Sequence, residues 1–307
     1  MGHLKIIMLE ILALTIYIFV GYFIRKRKLI TESGIQDISR IVVNVAMPLL
    51  VINSMNIEYN PEYGQLMLQM ALASFGFLIL GFISSAWICK RISGEQCQRG
   101  TLRYCIMFGN AAFLGYPLSY ALFQETGMLY ASVFVAVQNL FIWTVGINFY
   151  KGEKIRLANL KKMINPGIIG ITIGLTLLLF NLELPTLLSK VIKGIGNIAV
   201  PLALMMIGAN LYGNSLKEVI THKRALFITF MKMLILPMIF FIILYFIPIA
   251  PIVKSVMMIQ AAAPVQASAS VYAKNFHGDP QLAARSVFLS TLFCVITIPF
   301  FIFLLYL

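Results

Sequence analysis

The sequence predicts an all-α membrane protein: ten transmembrane helices arranged as two inverted five-helix repeats, with helices 4 and 9 broken and crossing. Three observations predict it. Of 307 residues, 60% are hydrophobic and 11% charged, and apolar runs of the ~20 residues needed to cross a ~30 Å hydrocarbon core alternate with short polar loops. Basic and acidic residues segregate between alternate loops. The fourth and ninth apolar runs are rich in Gly, Ala, Asn, Gln and Ser, and each has an internal proline, Pro117 and Pro264.

The first span, Leu4–Ile24, is longer than the apolar core of a signal peptide, and the basic run Arg25, Lys26, Arg27, Lys28 follows it, so it reads as a retained helix. The second, Ile35–Asn56, carries Asn44 four residues before Pro48. The third, Gly64–Ile88, ends at Lys90 and Arg91. The fourth, Thr101–Phe123, holds FGNAAFLGYPL, and the fifth, Met128–Phe149, holds the adjacent amides Gln138 and Asn139. Beyond a basic linker, the sixth is Ile164–Leu182 and the seventh is Pro185–Leu211, with Asn197 four residues before Pro201. The eighth, His222–Ile247, contains Lys232; the ninth, Pro251–Lys274, contains QAAAPVQASAS; the tenth is Gln281–Leu307.

The charges orient these spans. Connections after odd-numbered spans hold Arg25 to Lys28, then Lys90, Arg91, Arg99 and Arg103, then Lys151 to Lys162, Lys217 to Arg224, and Lys274 with Arg285. Those after even-numbered spans hold Glu58, Glu62, Glu125 and Glu183, with Lys254 the one clear base. By the positive-inside rule the odd connections are cytoplasmic and both chain ends lie outside, in the plasma membrane. The net charge of +13 therefore belongs to topology, and nucleic acid is not an expected partner.

The second and seventh spans share the pattern N-x-A-x-P-L, beginning at Asn44 and Asn197, an offset of 153 residues. The fourth and ninth correspond in composition. Residues 1–150 and 164–307 thus read as two copies joined by the cytoplasmic linker 151–163, and because five is odd the second copy is inverted. Inverted repeats place substrate at the midplane, where broken helices meet.

The candidate substrate-binding residues are Gly109, Asn110, Gln260, Pro264, Gln266 and Ser268, with Asn53 as a further pocket residue and Ser54, Ser270 and Asn210 as possible neighbours. Gly115, Pro117, Pro264, Pro48 and Pro201 are the expected breaks, since proline removes a backbone donor and collides with the preceding turn. A half-helix beginning after a break presents free N–H groups and a positive dipole end, which favours an anion. Asn44 and Asn197 read as structural polar groups or as cavity groups, and Gln138 and Asn139 as pocket residues or interhelical glue. Lys232, ten residues into its span, and Glu10 are the candidate charges at depth, for neutralising the anion, pairing with each other or coupling. Lys190 and Lys193 are shallow enough to snorkel.

With those residues in view the chain resembles the auxin efflux carrier family, which includes plant PIN-type carriers and bacterial malate and malonate permeases. NVAMPLLVINSM from Asn44, FGNAAFLGYPL from Phe108, NPGIIGITIGL from Asn165, GNIAVPLALMMIGANL from Gly196 and QAAAPVQASASVYAKNF from Gln260 carry the resemblance, in this order. It implies a scaffold of helices 1, 2, 6 and 7, a transport unit of the others, elevator-type movement and a homodimer. The family's crossover asparagine falls on Asn110 and its ninth-helix proline on Pro264. The chain lacks the long central loop of plant PIN carriers.

The function expected is a secondary carrier of small organic anions, dicarboxylates or auxin-like carboxylates, with a proton or sodium as possible coupling ion, lipid as surroundings and no cofactor. The alternative is a sodium-coupled symporter of the bile-acid-transporter type. An intramembrane enzyme is not expected, because no nucleophile has an evident base and no His lies at depth; Cys89, Cys97, Cys105 and Cys294 have no metal-binding spacing.

Overall fold

The computed structural model describes residues 2–58, 60–92, 95–151, 164–212 and 222–305, without the side chains at 2–11, 14, 151 and 211. Its elements are α1 (Gly2–Lys26), α2 (Glu32–Met55), α3 (Pro61–Arg91), α4 (Gln96–Met107), α5 (111–123), α6 (125–150), α7 (Pro166–Leu179), α8 (Thr186–Asn197), α9 (Ala199–Leu211), α10 (Lys223–Phe246), α11 (Pro251–Ala261), α12 (Ala269–Asn275) and α13 (Pro280–Leu305). Helices α5 and α6 follow one another with a reversal at Gln124 (φ 51°, ψ −140°). Among the described residues the only extended pairing is one antiparallel bridge, Gly109 with Val265.

Among the described residues six helical stretches are long and apolar enough to cross a bilayer: Glu32–Met55, Pro61–Arg91, Ala111–Tyr150, Thr186–Asn210, Lys223–Phe246 and Pro280–Leu305. Pro166–Leu179 and Pro251–Ala261 are shorter apolar helices. Their outward faces are apolar, with Leu68, Leu72, Ile83, Phe246 and Ile296 all exposed, the pattern of helices solvated by lipid. Polar caps close several of them: the side chains of Thr31, Asn60 and Asn165 accept from Gly34, Glu62 and Ile168 N–H.

The helices pack in two groups. In the first, α1 lies along α9, and α2 packs on α7 and α8. Backbone approach is closest between α1 and α9: a Cβ on Gly208 would meet the carbonyl of Ile18 and one on Gly21 that of Met205, so neither position accepts a side chain without moving a helix. In the second, α3, α4, α5, α6 and α10 to α13 pack on one another. The groups meet chiefly where α2 and α9 face α5 and α6.

The prolines behave differently from expectation. In α2, α5 and α10 the turns Val42–Ala46, Ala111–Gly115 and Met231–Ile235 are π turns, each followed two residues later by Pro48, Pro117 or Pro237. The N–H ahead of each proline bonds five residues back, as Tyr116 does to Ala111. Widening the ladder by one residue accommodates the proline's missing donor, so Pro48 and Pro117 do not break their helices. Pro201 lies in the first turn of α9, just past the α8–α9 joint at Ile198. The fourth span is broken earlier, at Phe108–Asn110, ahead of both Gly115 and Pro117. The ninth is broken around Pro264.

Candidate functional site

The two breaks lie against each other, and the bridge between them satisfies four of the backbone groups that the interrupted helices leave over. Asn110 N–H donates to the Pro264 carbonyl at 2.6 Å, and Gln266 N–H to the Phe108 carbonyl at 3.2 Å. Between these, Gly109 is held by one side chain of α6: its N–H donates to Gln138 Oε1 at 3.3 Å and its carbonyl accepts from Gln138 Nε2 at 3.0 Å. Val265 N–H donates to Ser290 Oγ of α13 at 2.9 Å. Unwound backbone at membrane depth survives only when so satisfied.

Lys232 completes the ring. It is fully buried in α10, and its ammonium donates to the Ala261 carbonyl, the last residue of α11, at 3.3 Å. Its Nζ also lies 5.2 Å from the centre of the Phe77 ring. Gly109 leaves room for this lysine: a Cβ there would stand 3.0 Å from Lys232 Nζ and 3.2 Å from the Ala263 carbonyl oxygen, so a side chain would crowd both.

Two cavities flank the crossing. The larger, about 320 Å³, lies between α2, the start of α7, the α4–α5 break, α6 and the start of α12; Asn44, Asn110, Gln138, Asn139, Gln266 and Ser268 give it amide and hydroxyl groups. Trp143 and Tyr272, edge to face at 5.9 Å, form an aromatic wall. The smaller, about 280 Å³, is lined by Asn110, Asn210, Ser270 and Thr291 with apolar neighbours. Asn110, Phe113 and Ala267 border both. No charged side chain lines either cavity among the described residues. The Asn110 amide is 7% exposed and has no protein partner among them. It stands at the start of α5, where the first N–H groups have no intrahelical acceptor.

Of the residues expected to bind substrate, Gly109, Asn110, Gln266 and Ser268 come together in the larger cavity, while Gln260, Pro264 and Asn53 line neither. Gln260 is fully buried, pressed against Gly115, and donates through Nε2 to Ser119 Oγ at 3.2 Å, tying α11 to α5. Pro264 contributes its carbonyl to the crossing. Ser54 is buried and bonds within its own helix to Val51. Asn44 donates to the Arg40 carbonyl of its own helix at 2.8 Å and also lines the larger cavity; Asn197 is exposed on α8. The Glu10 side chain lies outside the described residues, so its pairing with Lys232 is not described.

Ser290, Tyr104, Trp143 and Asn165 are additions. Tyr104 donates to Gln266 Oε1 at 2.6 Å, which orients that amide beside the larger cavity. Ser290 had a signal: Ser286 and Ser290, four residues apart in an aliphatic helix, share one face.

The family model described as "Membrane transport protein" matches residues 6–302. The chain belongs to that family, the auxin efflux carriers. It is a membrane transporter and not an enzyme. An uncharacterized transporter of Methanocaldococcus jannaschii is 26% identical over 303 residues, an alignment spanning 94% of this chain and 95% of that protein. One of Methanothermobacter thermautotrophicus is 24% identical over 294 residues, with the same two coverages. The transporter's crossing residues, Gly109 and Val265, lie well inside the matched region.

Proposed function

We propose that the protein is a secondary carrier of small organic anions, binding a carboxylate in the larger cavity at Asn110 and moving it by elevator-type alternating access. The observation that carries this is the unpartnered Asn110 amide at the N-terminus of α5, facing a polar cavity with the Lys232 ammonium just behind Gly109. Free helix N–H groups, an amide donor and a fixed positive charge together favour a carboxylate. The absence of any acidic side chain from the described lining supports the same sign.

The two packing groups support an elevator. Helices α1, α2 and α7 to α9 form the scaffold and the remainder the moving unit, with the cavities at their interface. In this reading ten spans, two inverted repeats and a homodimer through the scaffold follow the family pattern. Both chain ends lie outside the plasma membrane, and linker 151–163 is cytoplasmic. Both cavities are lined by helix ends that lead into basic connections, such as Asn165 and Asn210, so the described state faces the cytoplasm. Gln260 meets Ser119 and Gly115 where α11 joins α5.

Counterflow in proteoliposomes tests the proposal. Labelled malonate, malate and phenylacetate are offered to vesicles preloaded with the same unlabelled anion. The expected result is transient accumulation of at least one of them, lost in Asn110→Ala protein that still purifies as a folded species. Accumulation unchanged in Asn110→Ala removes Asn110 from the site.

A further inference from the structure

The larger cavity has no charged lining, yet a lysine is sealed behind it. Among the described residues no carboxylate pairs with this lysine, and an ammonium at membrane depth is costly unless acceptors replace its water. Among the described residues the ion pairs are Arg25–Glu32 and Arg40–Asp37, at the ends of α1 and α2, and neither involves Lys232. What surrounds Lys232 is instead oxygen and an aromatic face. Ala261 gives it one of the last carbonyls of α11, which has no acceptor role within the helix and carries the negative end of the dipole. Phe77 presents its ring. The carbonyl oxygen of Ala263 and the ammonium border the same point, the place a Gly109 Cβ would occupy.

A buried half-helix C-terminus followed by unwound carbonyls is the kind of place where membrane carriers hold a diffusible sodium ion. Here the ammonium is already in it. We propose that Lys232 is the carrier's built-in cation: its ammonium occupies, at the junction of the broken helices, a carbonyl socket that otherwise calls for a diffusible monovalent cation, so the adjoining anion site operates without sodium. This rests on the anion-carrier reading for its transport consequence, but not for its structural one. The lysine tip fills the space next to Gly109, where a side chain would crowd it. It also keeps the positive charge in the moving unit, since α10 packs with α3, α4, α11 and α13.

The experiment has a binding arm and a transport arm. In the first, purified wild type and Lys232→Ala are melted in sodium, potassium, lithium and choline chloride at equal ionic strength. The expected result is a wild-type midpoint indifferent to the cation, and a Lys232→Ala midpoint that is lower in choline and rises by several degrees in one of the small cations, which enters the vacated socket. In the second, counterflow of malonate, malate and phenylacetate is expected to be sodium-independent in wild type. In Lys232→Ala it falls at least tenfold in choline and recovers in the cation that stabilises the protein.

Should Lys232→Ala not fold, Lys232→Gln serves: it retains an amide donor without the charge, and is expected to fold but lose anion affinity at least tenfold in every salt. Wild type that is stabilised or activated by sodium overturns the proposal. So does a folded Lys232→Ala indifferent to all cations, or Lys232→Gln with unchanged affinity. Wild type that carries none of the three anions defeats the anion-carrier reading alone, and the melting arm still decides the role of Lys232.

Discussion

Gln138→Leu is the most revealing single change at the crossing. Gln138 alone satisfies both backbone groups of Gly109, accepting from its N–H at 3.3 Å and donating to its carbonyl at 3.0 Å. Leucine keeps the approximate bulk and offers neither partner. Each buried backbone group left without a partner costs about 1–3 kcal/mol, so the pair costs about 2–6 kcal/mol. Because Gln138 borders the larger cavity, water can reach the site and the lower half of that range is expected. The assay is thermal unfolding in detergent beside counterflow in proteoliposomes. The expected outcome is a melting midpoint lowered by several degrees and uptake lowered at least tenfold, since Asn110 is the next residue and moves with Gly109. Thr144→Val is the control: its hydroxyl bonds only to Leu140 in its own helix, and the change should leave both readouts nearly untouched. Wild-type melting and uptake in Gln138→Leu would refute the idea that this amide holds the crossing.

Ser290→Ala removes the acceptor for Val265 N–H and is expected to cost about 1–3 kcal/mol of stability; Ser290→Thr, which retains the hydroxyl, should recover most of the melting midpoint. Tyr104→Phe frees the Gln266 amide and is expected to raise KM for the anion several-fold with little change in maximal rate, read from initial uptake rates. Single cysteines at Arg27 and Glu183 in a cysteine-free background should be labelled by an impermeant maleimide from the cytoplasm and from outside respectively; the reverse pattern inverts the topology.

Much of this architecture was legible in the residues. Apolar run length located most of the helices, because hydrocarbon leaves the chain little choice there. Asn110, Gln266 and Ser268 were legible as polar groups in spans too poor in aliphatic residues to face lipid. The position of the fourth-span break was not. Proline is a strong local signal, and Pro117 drew the expected break toward itself, yet a π turn accommodates it. The break sits at Phe108–Asn110, where tertiary partners on α6 and in the α11–α12 break compensate the lost helical bonds. Gln260 was misplaced for a related reason: sequence shows an amide at depth, but its direction depends on Ser119 and Gly115, distant in the chain. Lys232 was legible as a buried charge, and its carbonyl partner was not, because that partner exists only once α11 ends.

Ala112, on the wall of the larger cavity beside Asn110, gives the most direct test of the central claim that this crossing is where an organic anion binds. In Ala112→Cys protein lacking its other cysteines, modification by an impermeant methanethiosulfonate reagent is followed from the cytoplasmic side with and without a saturating transported carboxylate. The account predicts ready modification that the anion slows in proportion to its occupancy. A thiol that reacts at the same rate whether or not the anion is bound would contradict it.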